Sequence, residues 1–301
     1  MASSEPVRLQ PTAAQRLRAR LDLRARSGDW VFFGLILPAA GFLAIFFVIP
    51  VLDILWRSVD SSSGLTLEHY ARFFSRPVYL RVLLLTIKTT LTVTAITLIV
   101  AYPLAFVITT ARPAASRIMI TLVLLPFFTS LLVRTYAWMA ILGQEGIVNR
   151  ALGIFGLGPV TLIYNWTGVL IGLVYTMLPY MVMTLYSVMK GIEPQFMRVA
   201  YSLGASELKA FRRVYWPLTL PGVMGGCLLV AIMTMGYFIT PRLMGGPGDQ
   251  MLASIVDNQI EAGLNFNFAA AISVVLLAIT LAGFALYARL VGLRRLLESK
   301  V

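Results

Sequence analysis

Two cations interrupt long apolar runs: Lys88 between Val82 and Thr110, and Arg134 between Ile118 and Leu142. A charge at the centre of a membrane helix costs about 2.5–3.5 kcal/mol on insertion scales, so a side chain kept there has work to do. Two kinds of work stay open: contact with a transported solute, or a structural post in which the long side chain snorkels to the interface or binds carbonyls of a neighbouring helix. Tyr136, Trp138, Tyr175, Tyr180 and Tyr237 lie in the same and later runs. Their ring faces can hold an ammonium group by cation–π attraction, or serve interfacial belting and packing. Asp257 and Glu261 stand four apart, the spacing of one helical face, and form either an acidic entrance or a contact for a delivering protein. A cationic solute is repelled by Lys88 and Arg134, which must then be paired or lie off its route.

Hydrolytic chemistry lacks its parts. The four lysines follow Ile87, Met189, Leu208 and Ser299, so there is no Gly-Lys pair and no phosphate-cradling loop. If ATP drives this protein, the nucleotide and its Mg are bound by another chain. A zincin helix and a G-x-S-x-G elbow are both absent, and one histidine, His69, with one cysteine, Cys227, provides neither a triad nor a Cys/His metal cluster. We therefore expect no catalytic residue, cofactor or metal in this chain.

The stretch Gly191–Pro221 is polar and basic between two apolar runs. Pro194 suits the first position of a helix, Gly204 a left-handed stop, and Ser206 the cap of a second helix with Glu207 in its first turn. Leu208, Phe211 and Tyr215 then fall on one stripe, with Lys209, Arg212 and Arg213 off it, and Pro217 opens the next membrane segment. Such a segment either lies on the lipid surface or docks on a partner.

The order Val199-Ala200, Gly204-Ala205-Ser206, Phe211, Val214, Pro217 and Pro221 resembles the EAA loop of permease subunits of binding-protein-dependent ABC importers. Tyr102-Pro103-Leu104-Ala105, Leu132 to Trp138, Gly146 to Asn149 and Leu178-Pro179-Tyr180 extend the resemblance to the branch handling spermidine, putrescine, opines and aminoethylphosphonate. The resemblance implies a coupling helix, carried by Arg198, Ala200, Ser202, Leu203, Gly204, Ala205, Ser206, Leu208, Phe211 and Arg212, that docks on an ATPase. It implies as partners a second, different permease, two cytoplasmic ATPase subunits and a periplasmic solute-binding protein, and a bacterial inner-membrane location. Arg198 stands where the family motif opens on an acidic residue.

The elements that must position these residues follow from composition. At 58% hydrophobic, 13% charged and mean hydropathy +0.82, the 301-residue chain belongs in a bilayer. Its net charge of +12 does not indicate nucleic acid, because the arginines gather in tails and short loops rather than on one face. We expect an all-α membrane protein with six spans near 31–52, 82–110, 118–142, 167–189, 218–240 and 268–288, and the resemblance implies the type I importer permease fold. Residues 1–30 form a basic tail, helical or disordered, and 294–301 a second tail. Helices outside the spans are expected over 65–74 and 147–154. Lysines and arginines number 17 in the segments assigned inside and 6 in those assigned outside, which places both termini in the cytoplasm. Pro103, Pro126, Pro179 and Pro221 are expected to face the bundle, where freed carbonyls find donors. A stand-alone secondary transporter or channel is the rival class, and a membrane enzyme the third. Neither inverted repeats nor mid-span carboxylates support an ion-coupled carrier.

Overall fold

The computed structural model describes residues 36–61 and 64–298. The basic tail over 1–30, the start of the first expected span and the last three residues lie outside the described residues. The chain divides into two compact units, residues 1–56 and 57–301. The first holds α1 (Ile36–Arg57), which ends at its boundary and has one π turn at Ala44–Val48. Its 22 residues reach about 33 Å at 1.5 Å per residue, enough for a hydrocarbon core of about 30 Å. The helix runs on past Leu52, where the sequence becomes polar, because Asp53–Arg57 have neither Pro nor Gly to stop it.

In the second unit a two-stranded ribbon, β1 (Asp60–Ser61) with β2 (Gly64–Leu65), precedes α2 (Glu68–Ser75) and α3 (Pro77–Thr110). Proline at the first turn opens both α3 and α4 (Pro113–Leu124), since its fixed φ suits that position and its missing N–H is not needed there. The third expected span is broken: α4 passes through a 3₁₀ turn at Leu125–Phe128 into α5 (Leu131–Leu142), with a bend of 104°. Buried Pro126 removes a ladder donor at the break. After α5 come α6 (Ile147–Ile154) and α7 (Trp166–Lys190), the latter capped by Asn165, whose side-chain oxygen accepts from the Gly168 amide.

Beyond α7 lie α8 (Pro194–Ser202), α9 (Glu207–Met235), α10 (Ile239–Met244), α11 (Leu252–Glu261) and α12 (Phe266–Glu298). The fifth expected span thus begins eleven residues early, inside the polar stretch, and Pro217 does not open it. A π turn at Phe211–Tyr215 shifts the hydrogen-bond register just ahead of Pro217 and carries the helix through. Among the described residues five helices are long and apolar enough to cross a membrane, six if the bent pair counts as one.

α3, α7 and α9 form the core, around Val93, Leu173, Met177, Met181, Leu185 and Val230. Glycine permits the closest approach: a Cβ at Gly172 would stand 2.6 Å from Thr240 Cγ2, and one at Gly226 2.6 Å from Met181 Sδ. Hydroxyls tie α3 to its neighbours at three depths. The Leu252 amide donates to Thr86 Oγ1, Trp166 Nε1 donates to Thr89 Oγ1, and Tyr102 pairs with Thr219. Pro126 and Pro179 face the bundle as expected, whereas Pro103 and Pro221 are exposed.

Candidate functional site

The polar stretch is two helices set at an angle by one residue. Gly204 has φ +78°, the Ala205 amide donates to Ala200 O and the Gly204 amide to Tyr201 O, the paired bonds of a Schellman stop. Among the described residues no atom lies within 4 Å of a Cβ built at Gly204, so the demand for glycine is conformational and not steric. Ser206 has the extended backbone of a cap, but its hydroxyl caps no amide. That role, expected from sequence, is not filled. Ser202 is likewise turned inward along its own helix, donating to Arg198 O.

The second half of the stripe is anchored. Phe211 and Tyr215 stack at 5.6 Å and meet Phe106 of α3 edge-on at 6.0 and 5.3 Å, with Tyr102 packed beside Phe211 and Trp216. Leu208 is not part of this packing; it is 76% exposed, and Leu203 is 83% exposed. Ala200 is buried, Ala205 half-buried, and Arg198 and Arg212 are exposed. The stretch therefore holds its shape through α3 and its own hydrogen bonds, while presenting Phe196, Val199, Leu203 and Leu208 outward among cations.

Away from this stretch, two helix breaks converge on the middle of α7. In the first, Arg134 Nη1 and Thr129 Oγ1 both donate to the carbonyl of Pro126, at 3.1 and 2.9 Å. In the second, between α9 and α10, Tyr237 comes within hydrogen-bonding reach of Thr176 and Thr240 and within electrostatic reach of Arg134 and Tyr180. Phe127 meets Tyr180 edge-on at 4.9 Å, and Trp138 meets Tyr175 at 5.1 Å. A pocket of about 240 Å³ opens here, lined by Thr129, Arg134, Trp138 and Tyr175 among others. Irregular backbone at membrane depth is tolerated where it lines a cavity, and such breaks are where transporters bind solute.

Five of the seven sequence-chosen pathway residues gather in this region. Tyr136 does not; it is exposed on the other side of α5. Lys88 does not either. With Leu84 and Leu91 it occupies an exposed stripe of α3, its ammonium 4.2 Å from the Trp166 ring centroid. About 20 residues cross a hydrocarbon core, so counting back from Thr110, beside basic Arg112, puts the far boundary near Leu91. Lys88 then sits at the interface, where a lysine over a tryptophan is a stable arrangement.

Asp257 and Glu261 do share one face of α11, and Arg242 of α10 lies between them. Its Nη1 binds Asp257 Oδ2 and its Nη2 lies 3.0 Å from Glu261 Oε2. The hydrogen bond to Glu261, with the charge of Asp257, raises the guanidinium pKa above its already high value. The expected acidic entrance is thus partly neutralised by a residue of the same loop region. Sequence reading missed Arg242 because fifteen residues separate it from Asp257 without a local pattern. It also missed Phe127 and Trp166, and Arg72, whose guanidinium lies 4.5 Å over the Phe268 ring.

Residues 96–296 match the family described as binding-protein-dependent transport system inner membrane component. The chain is 33% identical over 251 residues to the spermidine/putrescine transport system permease protein PotB of Escherichia coli K12, covering 80% of this chain and 91% of that one. It is 31% identical over 252 residues to the protein of the same name from Haemophilus influenzae, covering 82% and 85%. In fold it is similar to a chain of a bacterial ABC transporter that imports the acidic polysaccharide alginate, with TM-score 0.67 at 19% identity over 90% of this chain and 99% of that one. A second structure of a bacterial alginate ABC transporter, in complex with a periplasmic protein bound to alginate pentasaccharide, gives TM-score 0.69 at 17% identity over 88% and 95%.

Proposed function

The chain belongs to the inner membrane components of binding-protein-dependent transport systems, and on that premise we propose that it forms half of the route for a small amine-bearing solute, a polyamine such as spermidine or putrescine. As a member of this family it is a multi-pass inner-membrane permease subunit, and ATP hydrolysis belongs to a separate subunit. The observation that carries the coupling part of the proposal is the Gly204 stop. It fixes two helices in a bent, basic, outwardly apolar loop whose base is locked to α3 through Phe211 and Tyr215. A displacement of the loop is then a displacement of α3 and α9, the core of the bundle. That rigid link is what an ATPase needs in order to drive alternating access.

In this reading both termini and the loop are cytoplasmic, and the broken-helix region opens toward the periplasm, where a solute-binding protein delivers cargo. Two ATPase subunits and a second, different permease complete the assembly. The faces of Trp138, Tyr175, Tyr180 and Tyr237 serve the ammonium groups of the cargo. One observation favours a second cargo class: Arg134 lines the same pocket. A cation there suits an amine that also carries an anion, such as an opine, an amino acid or aminoethylphosphonate. The test is uptake of labelled spermidine by cells expressing the whole operon, with unlabelled opine and aminoethylphosphonate as competitors. Spermidine accumulation that depends on this chain supports the polyamine reading. Uptake blocked only by the zwitterions moves the assignment to the second class.

A further inference from the structure

The pocket at the first helix break holds a formal charge with nothing on this chain to balance it. Arg134 lines it beside Thr129, Trp138 and Tyr175, and none of the lining residues is acidic. Among the described residues Arg134 has no carboxylate within ion-pair distance, in contrast to Arg242, which has two. Its Nη1 donates to the neutral carbonyl of Pro126, and its Nε is buried without a hydrogen-bond partner among the described residues. A carbonyl dipole orients a guanidinium without cancelling its charge, and the Trp138–Tyr175 ring pair in the same pocket carries none. Away from bulk water the field of such a charge is weakly screened. A route for an amine thus carries, at its break, a charge that repels its own cargo. Lys88 does not share this conflict, because it stands over Trp166 on the exposed stripe of α3.

The conflict disappears if repulsion is the function. We propose that Arg134 is an electrostatic barrier: in the conformation described it keeps ammonium groups and inorganic cations such as K⁺ from passing unaided, so that a pathway made for an amine does not leak ions when idle. The proposal rests on reading the broken-helix region as the route, and not on which amine is carried. A neutral amide donor would satisfy the Pro126 carbonyl as well; only a cation both satisfies it and repels. The hydrogen bond to Pro126 also fixes the charge to the break itself, where α4 turns into α5 through 104°. A transport step that reorients α5 against α4 moves the charge with it, so the barrier is lifted only within the cycle.

The experiment uses the complete transporter in proteoliposomes loaded with potassium and the neutral tracer erythritol, without ATP or binding protein, and reads the passive efflux of each. Arg134→Gln removes the charge and keeps an amide donor near the Pro126 carbonyl. Ala137→Glu keeps the arginine and sets a carboxylate three residues along α5, at an exposed position that lines the same pocket. Arg134→Lys keeps the charge. We expect potassium efflux to rise about tenfold in Arg134→Gln and in Ala137→Glu, to stay at the parent level in Arg134→Lys, and erythritol to be retained by all. Parent-level potassium efflux in both charge-cancelling variants, verified as assembled complexes that hydrolyse ATP, overturns the proposal. So does escape of erythritol together with potassium, which makes Arg134 a post for the break alone. Uptake of labelled spermidine, started in the same vesicles with ATP and binding protein, separates the two readings: uptake altered without a potassium leak removes the barrier and leaves the route, and variants that change neither remove both.

Discussion

Arg134 and Pro126, eight residues apart on either side of a broken helix, are joined by a 3.1 Å hydrogen bond from the guanidinium to the proline carbonyl. The proline lacks an amide to continue the ladder at the break, and its own carbonyl, where the helix ends, accepts from the Thr129 amide and hydroxyl and from the arginine. A charge that looks costly in sequence thus stabilises an irregularity needed to shape a pocket. Its outer edge still faces that pocket, so the structural and solute-contacting roles are not exclusive.

Arg134→Ala should therefore loosen the break. Hydrogen bonds from charged donors contribute about 1.5–3 kcal/mol, and a loss in this range should appear as a lower unfolding temperature of the detergent-solubilised complex. Uptake should fall with it, because Phe127 of the same break packs edge-on against Tyr180. Arg134→Ala with unchanged thermal stability and reduced uptake would instead make Arg134 a solute contact only.

Lys88→Leu, by contrast, should leave uptake within about twofold of the parent, since Lys88 pairs with Trp166 on an exposed stripe. The lost cation–π contact is worth roughly 0.5–1 kcal/mol at such a site. Initial-rate uptake measurements check this directly, and a loss of transport with normal membrane insertion would return Lys88 to the pathway.

Gly172→Ala tests how the second break is seated. The added methyl would meet Thr240 Cγ2 at 2.6 Å and Met244 Sδ at 2.8 Å, pushing α10 off α7. Overpacking of this kind costs about 1–3 kcal/mol. A thermal-shift measurement on the complex should show the loss, and Gly236→Ala, where nothing among the described residues lies within 4 Å, should not show it.

Where sequence and structure agree, the deciding signal is local. Gly204 in its left-handed turn, Pro194 at a helix start and the helix over 147–154 are each dictated by residues within a few positions. Long apolar runs likewise announce helices without reference to their neighbours. What was not legible depends on distant partners. Leu208 matches the stripe of Phe211 and Tyr215 by spacing, but only Phe211 and Tyr215 find rings on α3. Asp257 and Glu261 read as an open acidic face because Arg242 reaches them through the packing of α10 beside α11. For Lys88 the sequence leaves solute contact and snorkelling to the interface both open, because a run of apolar letters does not show where a helix 34 residues long leaves the hydrocarbon or that Trp166 lies beside the ammonium.

The most direct measurement is the ratio of ATPase to permease recovered with Gly204→Asp, taken beside solute uptake in the same cells. A Cβ at φ +78° costs about 1 kcal/mol or more and turns α8 away from its angle to α9, while every apolar helix keeps its sequence. Insertion and assembly with the second permease should persist, and ATPase recovery and uptake should fall together. Normal recovery with normal uptake would mean that Gly191–Pro221 is a surface loop, and the coupling role built on it would be contradicted.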